Sequence, residues 1–102
     1  MSGPDSLDED WRLEILSSRP HLRGAAFLFR PYQRYSPDWD HDHCAACFIK
    51  LTEPGIGDVN VVHSGYAIAE MPGHRAGYWW VCTLCFDDLS DTMEWRLLSA
   101  EP

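Results

Sequence analysis

The sequence predicts an α+β domain in which a small antiparallel sheet lies between an N-terminal and a C-terminal helix, with one metal ion in its core. Three observations carry that prediction. All four cysteines of the chain fall in two C-x2-C units, Cys44-Ala45-Ala46-Cys47 and Cys82-Thr83-Leu84-Cys85. Apolar residues spaced four apart mark a helical stripe near each end. Between them lie short β-branched and aromatic runs separated by Gly and Pro turns. Two residues between two thiols let both sulfurs of a tight turn face one centre. Two such turns supply the four corners of a thiolate site suited to a single structural Zn2+. Each unit falls at a strand end, as the two knuckles of a zinc ribbon require. Iron in a rubredoxin-like site is the rival metal; zinc is preferred because no partner redox motif accompanies the cysteines.

The elements follow in order. Residues 1–6 read as a flexible tail. Ser6 or Asp5 caps a helix running to about Ser18, with Leu7, Trp11 and Ile15 on one stripe and Leu16 beside it. Asp8, Glu9 and Asp10 fall in its first turn, where the helix dipole favours negative charge, and Pro20 ends it. Residues 25–30 form a buried strand that Pro31 interrupts, and residues 32–37 are irregular. A strand over residues 47–51 leaves the first cysteine turn, and residues 53–58 are a loop. Residues 59–62 and 65–69 form short strands, residues 71–77 a second loop, and residues 78–82 an aromatic strand entering the second cysteine turn. A helix over residues 86–95 buries Phe86, Leu89 and Met93. Residues 96–98 either extend that helix or form a last strand.

The length of 102 residues suits one domain spanning 1–102, and the 45% hydrophobic content makes it globular rather than disordered. Structural zinc contributes about 10–16 kcal/mol of apparent binding energy, against a total stability of about 5–15 kcal/mol for a typical domain. The metal is therefore expected to decide whether much of the chain folds. No apolar run approaches the roughly 20 residues of a membrane span. The acidic start Met1-Ser2-Gly3-Pro4-Asp5 has no apolar segment behind it, so no signal peptide is expected. A cytoplasmic protein with reduced thiols fits; two disulfides would be the reading for a secreted chain. The net charge of −8 repels nucleic acid and attracts basic partners.

Around the cysteines, His41 and His43 are candidates to hydrogen-bond a ligand or to replace one, and His63 and His74 lie in the intervening loops. An extended run from Asp38 to His43 places Asp38, Asp40 and Asp42 on one face and Trp39, His41 and His43 on the other. Its D-x-D-x-D spacing is no calcium loop, since His43 stands where the turn glycine belongs and Ile49 where the closing glutamate belongs. The three aspartates, with Asp87, Asp88 and Asp91 near the C-terminus, are candidate contacts for a basic partner. Trp79 and Trp80 face opposite ways in a strand, so Trp79 is a further contact candidate. Arg19, Arg23, Arg30 and Arg34 alternate with Phe27, Phe29, Tyr32 and Tyr35, a pattern that can grip single strands; pairing with the acid-rich helices and filling of the core explain it better. Catalysis is not expected. Four cysteines close a zinc site to water, the deaminase His-x-Glu and Pro-Cys pattern is missing, and no P-loop, G-x-S-x-G or H-E-x-x-H occurs.

The string Trp39-Asp40-His41-Asp42-His43-Cys44-x-x-Cys47, with Gly65-Tyr66, Trp80-Val81-Cys82-x-x-Cys85-Phe86 and Trp95, resembles small bacterial zinc-ribbon proteins over roughly residues 25–96. Some of these look like accessory or immunity proteins of toxin systems. The resemblance implies a metal-binding fold and no catalytic residues. The expected function is a non-catalytic, zinc-stabilised acidic module that binds a protein, in its sharper form an immunity or inhibitor partner of a basic toxin or nuclease. The alternative is a nucleic-acid-binding zinc ribbon of transcription or translation. Neither a membrane nor a small-molecule substrate is expected.

Overall fold

The structure, a computed structural model, describes residues 11–54, 60–69, 73 and 75–100. The expected tail, the start of the first helix, most of the loop after Glu53 and His74 lie outside the described residues. Helix α1 covers Trp11–Ser17. Its anchor is Leu16, fully buried, with Leu13 packed beside it, whereas Trp11 is 54% exposed. The expected stripe through Trp11 is therefore rotated: Leu13 and Leu16, three apart, turn inward. Pro20 opens a 3-10 turn, Pro20–Leu22, that buries Leu22; its fixed φ suits that first position. Gly24, at φ +73, then turns the chain into strand β1, Ala26–Pro31.

β1 lies inside a four-stranded sheet with β5 (Ser64–Ile68), β6 (Trp80–Val81) and β7 (Arg96–Ala100), in the order β6-β5-β1-β7. Phe27 faces Ile68 and Phe29 faces Tyr66 across the antiparallel β1–β5 pair. Pro31 does not interrupt β1 but closes it, opposite Ser64, a strand-end position where a missing N–H is tolerated. A second sheet holds β2 (His41–His43), β3 (Lys50–Thr52) and β4 (Val61–Val62) in that order.

Both sheets are mixed rather than antiparallel as expected. β7 runs parallel to β1, and β4 parallel to β3. The cause in the first sheet is helix α2, Thr83–Met93. β6 is antiparallel to β5 and β5 to β1, so β6 and β7 run the same way and need a crossover between them, which α2 provides. The second helix thus begins inside the second cysteine unit rather than at Phe86, and it is not the last element. Glu94, left-handed at φ 61, ends it, and residues 96–100 become a strand.

α2 buries Phe86, Leu89 and Met93 against the sheet. The Phe86 ring stacks on Tyr66 at 3.9 Å and 12°, and lies against Phe27 and Trp95. Trp95 donates its indole N–H to the Leu22 carbonyl at 2.8 Å, locking the end of α2 to the 3-10 turn. No helix among the described residues is long and apolar enough to cross a membrane.

Gly65 is where strand β5 meets its neighbours most closely. A Cβ there would stand 3.0 Å from the Val81 carbonyl oxygen and 3.1 Å from a Leu51 methyl. Backbone on one side leaves little room to yield. Gly65→Ala is expected to destabilise the metal-loaded protein by about 1–3 kcal/mol, read as a lower urea midpoint with unchanged slope.

Candidate metal centre

The two cysteine units arrive at one point from different sheets. The first is a tight turn between β2 and β3. The Cys44 amide donates to Ile49 O at 2.9 Å, and the Phe48 amide returns to Cys44 O at 3.0 Å. Closing that turn puts Phe48 at φ 69, which is why β3 starts at Lys50 rather than at Cys47. The second unit is a helix start: Cys82 caps α2 and Cys85 lies in its first turn, where the helix dipole favours a thiolate. The two are joined by a backbone bridge between Cys44 and Trp80 and by the Ala45 amide donating to Trp80 O at 2.9 Å.

The four Sγ atoms all lie within 4.8 Å of one another, with Cys47 and Cys82 at 3.7 Å. Sulfurs on the corners of a tetrahedron with metal–sulfur bonds of about 2.3 Å stand roughly 3.8 Å apart. All four are free thiols, and Cys44, Cys82 and Cys85 are buried. The donor set therefore fits one metal ion. Cys44 Sγ also accepts from three amides: Ala46 at 3.4 Å, Cys47 at 3.5 Å and Cys82 at 3.4 Å. Arg12 brings its guanidinium to 3.5 Å from Cys85 Sγ and to 3.2 Å from Asp88.

Crowding splits the thiols. Hydrogen bonds from the Cys82 and Cys85 thiols, aided by backbone amides, hold Cys44 far below the ordinary thiol value. Donating to Cys44 pushes Cys82 up to about 12 and Cys85 also upward, with burial adding to both. A metal ion replaces the donated protons and supplies the compensating charge.

The cysteines are the only group of candidate ligands brought together among the described residues. His41 is engaged by Asp40 at 2.6 Å, and His43 packs edge-on against it at 5.0 Å; His63 bonds the Thr52 carbonyl at 2.9 Å. The three aspartates of the acidic run do not share one fate. Asp38 and Asp40 are exposed. Asp42 is half-buried and accepts from the Tyr32 hydroxyl at 2.7 Å; burial pushes its pKa up. Asp87, Asp88 and Asp91 are exposed on α2. Trp80 is fully buried, with its indole N–H on Gly77 O at 2.9 Å. Trp79 is half-buried beneath the Arg19 guanidinium, 5.1 Å from its ring. Arg34 pairs with Glu53 at 3.1 Å and Arg23 donates to the Thr92 carbonyl at 2.9 Å, so among the described residues only Arg23 of the four arginines Arg19, Arg23, Arg30 and Arg34 hydrogen-bonds a helix. Sequence reasoning missed Arg12 beside the sulfurs, although it stands out as a cation in an acid-rich helix. It also missed the left-handed Phe48, for which the residue types hold no signal.

The chain matches no family model, no curated protein and no solved structure.

Metal uptake must expel the protons on Cys82 and Cys85. Affinity is therefore expected to rise with pH by at least about a hundredfold per unit below the ordinary thiol range. Calorimetric titrations in two buffers of different ionisation enthalpy should count at least those two protons released per ion.

Phe48 is 49% exposed, so it pays for its left-handed backbone, a cost of about 1–2 kcal/mol, with little burial. Phe48→Gly is expected to keep the metal and to raise stability by about 0.5–1 kcal/mol in denaturant titrations.

Proposed function

We propose that the chain is a zinc-ribbon module that binds a basic protein partner and performs no chemistry at its metal. Four sulfurs saturate a tetrahedral Zn2+ and leave no position for water or substrate, which supports a structural ion. Thiolates of this kind persist in a reducing compartment such as the cytoplasm.

The observation that carries the binding role is the outward face of α2. Leu84, Asp87, Asp88 and Asp91 stand at i, i+3, i+4 and i+7 and are all exposed, with Leu84 at 69%. Three carboxylates thus follow one exposed apolar side chain along a single helix face, a charged stripe with an apolar contact at its N-terminal end. Only Asp88 is neutralised by a described cation, Arg12. The sharper form of the reading is an immunity or inhibitor partner that covers a basic toxin or nuclease. The alternative, a nucleic-acid-binding ribbon, has to overcome the net charge of −8, and Arg23 and Arg34 are already engaged.

Affinity capture from cells of origin, with the wild type and with an Asp87→Lys, Asp91→Lys double variant, tests the proposal. Asp88 is spared to keep its pair with Arg12. The wild type is expected to retain a basic protein at low salt and to bind it less tightly above about 0.15 M, where screening sets in within about 8 Å. The variant should keep its metal and lose the partner. Capture that ignores the charge reversal, or that yields no protein, contradicts the proposal.

A further inference from the structure

We propose that a cleft beside the first cysteine turn binds a small planar aromatic carboxylate. The cleft has a volume of about 320 Å³ and is lined by Trp39, Phe48, Tyr78, Trp79, Arg19 and Asp42, a size at the lower end of small-ligand sites. Its walls are π surfaces. Trp39 and Tyr78 meet edge to face at 5.6 Å, and Tyr78 meets Trp79 at 5.9 Å. Phe48 is kept half-exposed at this rim at the cost of a left-handed backbone, and strain of that kind concentrates where side chains contact ligands.

The charges in the cleft decide what it takes. Asp42 is committed, since its carboxylate accepts a hydrogen bond from the Tyr32 hydroxyl at 2.7 Å. Arg19 is not committed. Its guanidinium lies over Trp79, its Nε is buried without a hydrogen-bond partner, and it forms no ion pair among the described residues. A guanidinium fork presented beside aromatic walls matches a carboxylate on a ring. A cationic ligand would meet Arg19 already seated on the Trp79 face. A polyanion would meet one permanent cation, Arg19, with His43 beside it and the Asp42 carboxylate opposed to it, on a chain of net charge −8. One negative charge on a flat ring satisfies all three conditions. The site adds a ligand to a chain whose sequence suggested no small-molecule substrate; binding, not turnover, is inferred.

The test is an NMR titration of the metal-loaded protein, following the indole N–H signals of Trp39 and Trp79, with 2-naphthoate and its neutral counterpart 2-naphthamide. The acid is expected to bind with a Kd of about 1 mM or below, and the amide at least about tenfold more weakly. Arg19→Gln should erase the preference for the acid while the metal content is unchanged, Arg19→Lys should restore part of it, and Phe48→Gly should weaken both ligands. Equal binding of acid and amide by the wild type overturns the proposal without reference to any variant. So does an acid preference that survives Arg19→Gln, or tighter binding of uridine 5′-monophosphate than of 2-naphthoate, which would assign the cleft to nucleotides instead.

Discussion

Four sulfurs held within one coordination radius are the constraint on which the rest of the structure depends. Cys44 sits at the meeting point: it follows directly on β2 of one sheet, bridges Trp80 of the other, and receives three amide hydrogen bonds on its sulfur. Buried thiolates repel one another and are costly to desolvate. A divalent cation cancels half the charge of four thiolates, and the three amides on Cys44 and the Arg12 guanidinium beside Cys85 face what is left. A chain of this length has a limited apolar core, so an ion held by these cysteines would contribute a large share of its stability by joining two small sheets.

The aromatic core is arranged around the same point. Trp80, fully buried, packs on Tyr32 at 4.9 Å, and the Tyr32 hydroxyl reaches Asp42 across to the second sheet. That is a second tie between the sheets, independent of the metal but close to it. Farther out, Phe27, Tyr66 and Trp95 pack around Phe86 of α2, and α2 itself starts on two of the sulfurs. The two sheets and α2 therefore meet at the cysteine cluster, and the outer face of α2 is oriented by the cysteines at its start. Asp87 and Asp91 thus project from a helix whose N-cap and first turn carry two of the candidate metal ligands.

The cysteine cluster was legible in the sequence because C-x2-C is local chemistry: two residues of spacing impose the turn whatever surrounds it. The α+β class was legible for a similar reason, since apolar periodicity marked α2 through Phe86, Leu89 and Met93. Strand direction was not. Whether a final segment at residues 96–98 joins a helix or lies parallel to β1 depends on the left-handed Glu94 and on burial of Trp95 against Leu22, neither of which has a local signature. The run of three aspartates shows the same limit. Alternation predicts one shared face, but Tyr32, ten residues away, draws Asp42 inward and leaves Asp38 and Asp40 in solvent. The cleft beside Phe48 depends on rings from residues 39, 48, 78 and 79 converging, which no window of sequence contains.

The most direct test of the central claim is an equilibrium measurement of tryptophan emission and near-ultraviolet circular dichroism as a chelator strips the ion from reduced protein. Buried Trp80 next to the sulfurs is the reporter. The structure predicts that emission shifts to the red and the near-ultraviolet signal collapses in step with metal loss, and that both return when Zn2+ is restored. Unchanged spectra from protein shown by elemental assay to hold no ion would contradict it.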